Sequence, residues 1–164
     1  MSTVYLALGT NLGDRADNLQ RALAALRTDF TIEAVSPCYE TEPAYVLDQP
    51  HFYNLTCRAV TSLSARATLS RLQQLESKLG RRPSIRFGPR LIDLDFLLYD
   101  DLILDTPSLT LPHPRLHERA FVLVPLADIA PDLVHPTLGL TIAQLRDQLG
   151  DGVRSVWPVG FINS

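Results

Sequence analysis

An α+β fold on an antiparallel sheet follows from three features of the chain: segments in which apolar residues alternate, two amphipathic stretches between them, and the order β-α-β-β-α-β. Residues 3–8 form the first strand, and Gly9, Asn11 and Gly13 mark a turn behind it. Asp14 is placed to cap a helix to about Arg27, where Leu19, Ala22, Leu23 and Leu26 recur at helical spacing. Residues 31–41 read as extended, 42–50 carry loop signals, and 52–61 return as a strand with Tyr53, Leu55, Cys57 and Ala59 alternating. Ser64 caps a second helix whose Leu69, Leu72, Leu75 and Leu79 form one stripe, ended by Gly80. A strand over 91–99 completes a ferredoxin-like unit, with two helices on one face of the sheet. Behind it, a proline-rich C-terminal extension contains the apolar run Val122, Leu123, Val124, Pro125 and Leu126, expected as a helix or buried segment. Residues beyond Pro136, Trp157 included, carry no chemical signal and are expected as a structural or flexible tail.

The chain has 164 residues, enough for one domain with a sizeable core and too few for two ordinary ones, so a single domain over 1–164 is expected. Its 46% apolar and 20% charged residues are those of a folded globular protein. No stretch reaches membrane-spanning length and no leader pattern opens the chain, which gives a cytoplasmic expectation. Cys38 and Cys57 lack neighbours at metal-ligand spacing and read as buried, reduced thiols. The net charge of −3 argues against a nucleic-acid partner, and Lys78 is the single lysine, so the cationic chemistry falls to arginine.

Asp93 and Asp95 lie one residue apart in the last predicted strand, so their carboxylates share a face while Ile92, Leu94 and Phe96 point the other way. Alone, Asp-x-Asp is common on solvated edge strands. Here it follows Arg81, Arg82, Arg86 and Arg90, set in a loop by Gly80, Pro83, Gly88 and Pro89. Guanidinium forks suit phosphate oxygens, and paired carboxylates suit magnesium, which keeps positions for water and phosphates. A phosphate loop of the Gly-x4-Gly-Lys-Ser/Thr type is absent from the sequence, so a nucleotide would be held by arginine and metal. His113, between Pro112 and Pro114, reads either as a phosphate contact or as a structural loop histidine.

Five motifs carry a resemblance: Leu8-Gly9-Thr10-Asn11-Leu12-Gly13-Asp14, Tyr39-Glu40-Thr41-Glu42-Pro43, Asp48-Gln49-Pro50-His51-Phe52-Tyr53-Asn54, Arg86 through Asp95, and Leu111-Pro112-His113. Over residues 4–136 the chain resembles the 6-hydroxymethyl-7,8-dihydropterin pyrophosphokinases of folate biosynthesis. The resemblance implies an ATP-dependent transferase acting with two magnesium ions, and small-molecule substrates with neither nucleic acid nor membrane as partner. A monomer is expected. It further implies that Asp93 and Asp95 hold both metals, that Arg81 and Arg90 steady phosphates and developing charge, and that Arg86 closes over them. Gln73, Glu76, Phe87, Phe96, Thr110, His113 and Arg119 match positions around the nucleotide. Phe52 and Phe121 match the two faces of the pterin, Asn54 its polar edge, and the backbone of Thr41, Glu42, Pro43 and Ala44 completes the slot.

Against the family pattern, the arginine loop is one residue shorter, with Pro83 where a further arginine often stands, so the roles of Arg81 and Arg82 are interchangeable. Phe87 replaces a tryptophan, Phe52 a tyrosine and Glu42 a common proline. No residue stands out as a general base, which leaves positioning and charge stabilisation to do the chemistry. A ligand-binding regulatory module of the same fold is the competing expectation, and it leaves Asp93 and Asp95 without a task. An RNA-recognition sheet shares the element order, but neither its aromatic pattern nor a broad basic face is present.

Overall fold

The computed structural model describes residues 1–80 and 88–162. Arg81, Arg82, Pro83, Arg86 and Phe87 lie outside the described residues. The core elements come in the expected order: β1 (Ser2–Thr10), α1 (Arg15–Leu26), β2 (Thr31–Val35), β3 (Cys38–Thr41), β4 (Phe52–Thr61), α2 (Ala65–Lys78) and β5 (Asp93–Tyr99). They are followed by β6 (Leu104–Asp105), β7 (Thr110–Leu111), α3 (Ala120–Ile129), α4 (Ile142–Gln148) and β8 (Val156–Gly160). The main sheet runs β5-β1-β4-β3-β8, with β2 on β4 ahead of β3, and its pairings are antiparallel. Short β6 and β7 pair with each other.

Both helix starts are where the caps put them. The Asp14 carboxylate accepts from the Asp17 N–H and the Ser64 hydroxyl from the Ala67 N–H. The second helix ends at Lys78, and Gly80 follows at φ +96°, a conformation that disfavours any side chain. Some boundaries differ from the sequence reading, and β5 begins at Asp93 and not at Leu91. The extended run 31–41 breaks at Ser36 and Pro37: the Ser36 N–H still donates to the Thr56 carbonyl (2.9 Å), the Ser36 hydroxyl accepts the Thr56 N–H (2.9 Å), and Pro37 has no N–H with which to continue the ladder. Gly9 belongs to β1 and not to the turn. Of the two readings for the segment beyond Pro136, the structural one holds over residues 137–162: a capping box on Thr141 and Gln144 starts α4, and β8 adds a strand to the sheet.

Period-two alternation divides the core between the two faces. Val4, Leu6, Leu8, Leu55, Cys57, Ala59, Leu94 and Phe96 pack under α1 and α2. Tyr5, Ala7, Leu97 and Leu98 pack under α3 and α4 on the reverse face. Consecutive Leu97 and Leu98 share that face because β5 carries a bulge: Phe96 lies opposite Leu6 and Leu98 opposite Tyr5, leaving Leu97 without a partner on β1. Both cysteines are buried, and burial pushes each thiol up to about 12, as inert core residues require. No helix among the described residues is long and apolar enough to cross a membrane.

Candidate active site

Helices α3 and α4 cover one end of the second face, and at the other end the strands present polar side chains to a cleft. Gly9 lies opposite Asp93 on β5 and Asn54 on β4, and Ala7 lies opposite Asp95. The two carboxylates therefore share a face with Asn54, as the alternation requires. The cleft, of about 260 Å³, is walled by Thr41 at the end of β3, by Glu42 and Ala44 from the loop after it, by Phe52 and Asn54 of β4, and by Phe121 of α3. Its remaining walls include Gly88, Arg90, Asp93, Asp95, His113 and Arg119. This size lies just below the usual range for small-molecule sites, roughly 300–1,000 Å³.

A second recess lies beside it, walled by Gln73 and Glu76 of α2, Phe96 of β5, Thr110 of β7 and Pro114. Asp95 and His113 line both hollows and form the junction between them. The expected site residues thus fall into two groups, the ring contacts in one hollow and the nucleotide contacts in the other. Three are placed differently. Arg119, expected at the nucleotide, lines the first hollow and not the second. Pro43 is buried and lines a third recess behind the loop. The Phe96 ring belongs to the core under α1 and α2, with 5% of the residue exposed, edge-on to Tyr99. Glu76 is also buried, and its Oε2 accepts the Leu94 N–H (2.8 Å), tying α2 to β5 between the two aspartates.

Cations stand against both carboxylates. Arg90 Nε is 3.7 Å from Asp93 Oδ1, and Arg119 Nη1 is 3.7 Å from Asp95 Oδ2. Arg119 immediately precedes α3, stacks over the Phe121 ring and donates from Nε to the Tyr45 hydroxyl (3.2 Å). Asn54 is fixed by its Nδ2–H donating to Thr41 Oγ1 (2.7 Å). The His113 N–H donates to the Leu97 carbonyl (2.9 Å), and its Nδ1 accepts the Arg115 N–H (3.1 Å), which leaves the proton of the neutral ring on Nε2. Burial, reinforced by Arg119 and Arg115, lowers its pKa to about 4, so the ring is neutral at physiological pH.

Two further residues shape the site. A Cβ on Gly9 would stand 2.6 Å from Asn54 Oδ1, so a glycine on β1 makes room for the Asn54 amide. Asn11 bridges the loops on either side of the cleft: Arg90 N–H donates to its Oδ1, and its Nδ2 donates to Gln49 Oε1 and the Pro50 carbonyl. The available signal for both was their motif between Leu8 and Asp14, since a turn reading explains their residue types equally well. Among the described residues no group of three or more His, Cys, Asp or Glu is placed to hold a metal ion. A site built on Asp93 and Asp95 would therefore take its other ligands from water and substrate, the arrangement magnesium favours.

A sheet with α1 and α2 behind it and a cleft on the face towards α3 is of the ferredoxin-like α+β class, and solved structures agree. The chain superposes on the crystal structure of an HPPK-DHPS in complex with substrates with a TM-score of 0.77, at 16% identity over 92% of this chain and 44% of that one. The Plasmodium falciparum HPPK-DHPS gives 0.73 at 18% identity, over 90% of this chain and 44% of that one. The profile of the 7,8-dihydro-6-hydroxymethylpterin-pyrophosphokinase family matches residues 5–131, and the chain belongs to that family. It is 44% identical over 135 residues to the 2-amino-4-hydroxy-6-hydroxymethyldihydropteridine pyrophosphokinase of Pseudomonas aeruginosa, covering 81% of this chain and 83% of that protein. It is 42% identical over 149 residues to the folic acid synthesis protein FOL1 of Dictyostelium discoideum, covering 91% of this chain and 23% of that protein. The chain thus spans less than a quarter of the length of that relative and of similar proteins from Pneumocystis carinii and Schizosaccharomyces pombe.

Proposed function

We propose that the chain transfers a pyrophosphoryl group from ATP to the hydroxymethyl oxygen of 6-hydroxymethyl-7,8-dihydropterin, giving the pterin diphosphate and AMP, with residues 1–164 acting as one domain. The observation that carries this is the meeting of two recesses at Asp95 and His113, one with aromatic and amide groups, the other beside Gln73, Glu76 and Thr110. In the first, Phe52 and Phe121 hold the faces of the ring, Asn54 reads its edge, and the backbone of Thr41, Glu42 and Ala44 closes the slot. Pro43 shapes that backbone from behind. ATP occupies the second, its base beside the Phe96 backbone and its phosphates directed to the junction.

The hydroxymethyl oxygen attacks the β-phosphorus and gives up its proton to solvent, the bond from that phosphorus to the α–β bridging oxygen breaks, and AMP leaves with that oxygen. Arg90 and Arg119 steady the phosphates, and His113 donates its Nε2–H to a phosphate oxygen. By the family pattern Arg81 would join Arg90 on the developing charge, Arg86 would serve the phosphates and Phe87 the nucleotide. Asp93 and Asp95 would hold two magnesium ions, their oxygens fitting a hard cation that completes its shell with phosphate and water. Bound there, the metals would offset charge on the triphosphate. The same proposal takes the protein to be a cytoplasmic monomer, which equilibrium sedimentation and fractionation test.

The deciding experiment incubates the purified protein with magnesium, ATP and the dihydropterin and measures AMP and pterin diphosphate. Their one-to-one appearance supports the transfer. Pterin binding without product favours the regulatory module, and neither binding nor product overturns the proposal.

A further inference from the structure

The backbone leaving β3 is held from both sides. On the inner side Thr41 lies opposite Phe52, and its Oγ1 takes the Asn54 amide hydrogen. On the outer side β8 sets Trp157 opposite Glu40 and Val156 opposite Thr41. One residue further, past the end of β3, the Glu42 N–H donates to the Ser155 carbonyl (3.2 Å) and the Ser155 hydroxyl donates to Glu42 Oε2 (3.0 Å). Two hydrogen bonds thus join the same pair, one through main chain and one through side chains, at the first residue of the loop. Thr41, Glu42 and Ala44 then wall the cleft on one side and, with Pro43, the third recess on the other, which Gly152, Ser155 and Val156 close. Pro43 is buried but Glu42 and Ala44 on either side of it are exposed, so hydrogen bonds at the root of the loop set the orientation of their peptide planes.

We propose that Ser155 is a positioning residue for the substrate ring: its clasp on Glu42 orients the loop backbone whose polar groups meet the ring edge. This rests on the cleft being the dihydropterin site. Ser155 lies beyond residues 5–131, the stretch matched by the family profile, and lines the recess behind the loop, outside the cleft. It therefore acts on how one substrate is seated and leaves the phosphates alone.

The test uses the full chain with Ser155→Ala and Ser155→Thr, the latter keeping the hydroxyl. Four quantities are read: kcat, KM for each substrate, dihydropterin Kd by fluorescence titration, and hydrogen exchange of the Glu42 amide. Ser155→Ala should raise the dihydropterin KM and Kd about three- to tenfold and speed exchange at Glu42, with kcat and the ATP KM within about twofold. Ser155→Thr should restore both. An unchanged dihydropterin Kd, an unchanged exchange rate, or equal rises in both KM values would overturn the proposal. Wild-type protein that binds no dihydropterin fails the reading of the cleft itself; exchange at Glu42 then decides whether the clasp orders the loop, and unchanged protection sinks it.

Discussion

Asn11 and Arg90 are joined twice: the Asn11 N–H donates to the Arg90 carbonyl (3.0 Å), and the Arg90 N–H donates to Asn11 Oδ1 (2.7 Å). Asn11 is 2% exposed, and its amide hydrogens serve Gln49 and Pro50 on the opposite loop. Its position is set by β1, so the strand aims the main chain of the residue that faces Asp93.

Asn11→Ala should cost about 1 kcal/mol of stability, because it takes their partner from the part-buried Arg90 N–H and from the Pro50 carbonyl. Urea unfolding checks this as a lower midpoint at constant m. The same variant should lower kcat as Arg90 loses its anchor; a wild-type kcat would show that the pairing serves stability alone.

Gly9→Ala should drive the Asn54 amide from its place, since the new methyl meets Oδ1 at 2.6 Å and Asn54 is 7% exposed. Dihydropterin affinity should fall by about 1–3 kcal/mol while ATP affinity holds. Calorimetric titration with each ligand separates the two, and parallel losses would place the damage in the sheet as a whole.

Asp95→Asn keeps the shape of a carboxylate that pairs at 3.7 Å with Arg119. With the Asp95 side chain 37% exposed and so partly screened by solvent, the fold should lose no more than about 1 kcal/mol. Magnesium-dependent turnover should fall by roughly three orders of magnitude, the equivalent of several kcal/mol of transition-state charge stabilisation. Turnover near wild type would remove Asp95 from the metal site.

His113 has a folded pKa lowered from 6.5 to about 4. Between those values the unfolded chain takes up a proton that the folded imidazole refuses, so stability is full above pH 6.5 and falls as the pH drops towards 4. The loss attributable to this ring is on the order of 3 kcal/mol. His113→Asn, which keeps an acceptor for the Arg115 N–H, should flatten that part of the pH profile in denaturant titrations. An unchanged slope would mean that the ring is solvated.

Element order and both helix caps were legible because Asp14, Ser64 and the leucine stripes are local signals. The pairing of Asp93 with Asp95 was legible for the same reason, alternation being a property of one strand. Gly9 was not, because the demand for a missing Cβ comes from Asn54, forty-five residues away. Nor was β8: Val156, Trp157, Pro158 and Val159 show no alternation, and the strand is defined by its pairing with β3 and not by a buried face. The Ser36 break shows how a proline inside an extended run redirects pairing to a side chain.

β5 is the edge strand of the main sheet, so half of its main-chain groups face away from β1, and the Leu94 N–H already meets Glu76 there. Leu97, the residue with no partner on β1, keeps a carbonyl to spare, and that carbonyl is where His113 is tied. A loop bounded by two prolines thus has a fixed mooring in the sheet itself, two residues from a carboxylate at the junction. The open edge of the sheet, elsewhere a row of groups awaiting a partner, here holds the histidine that lines both recesses.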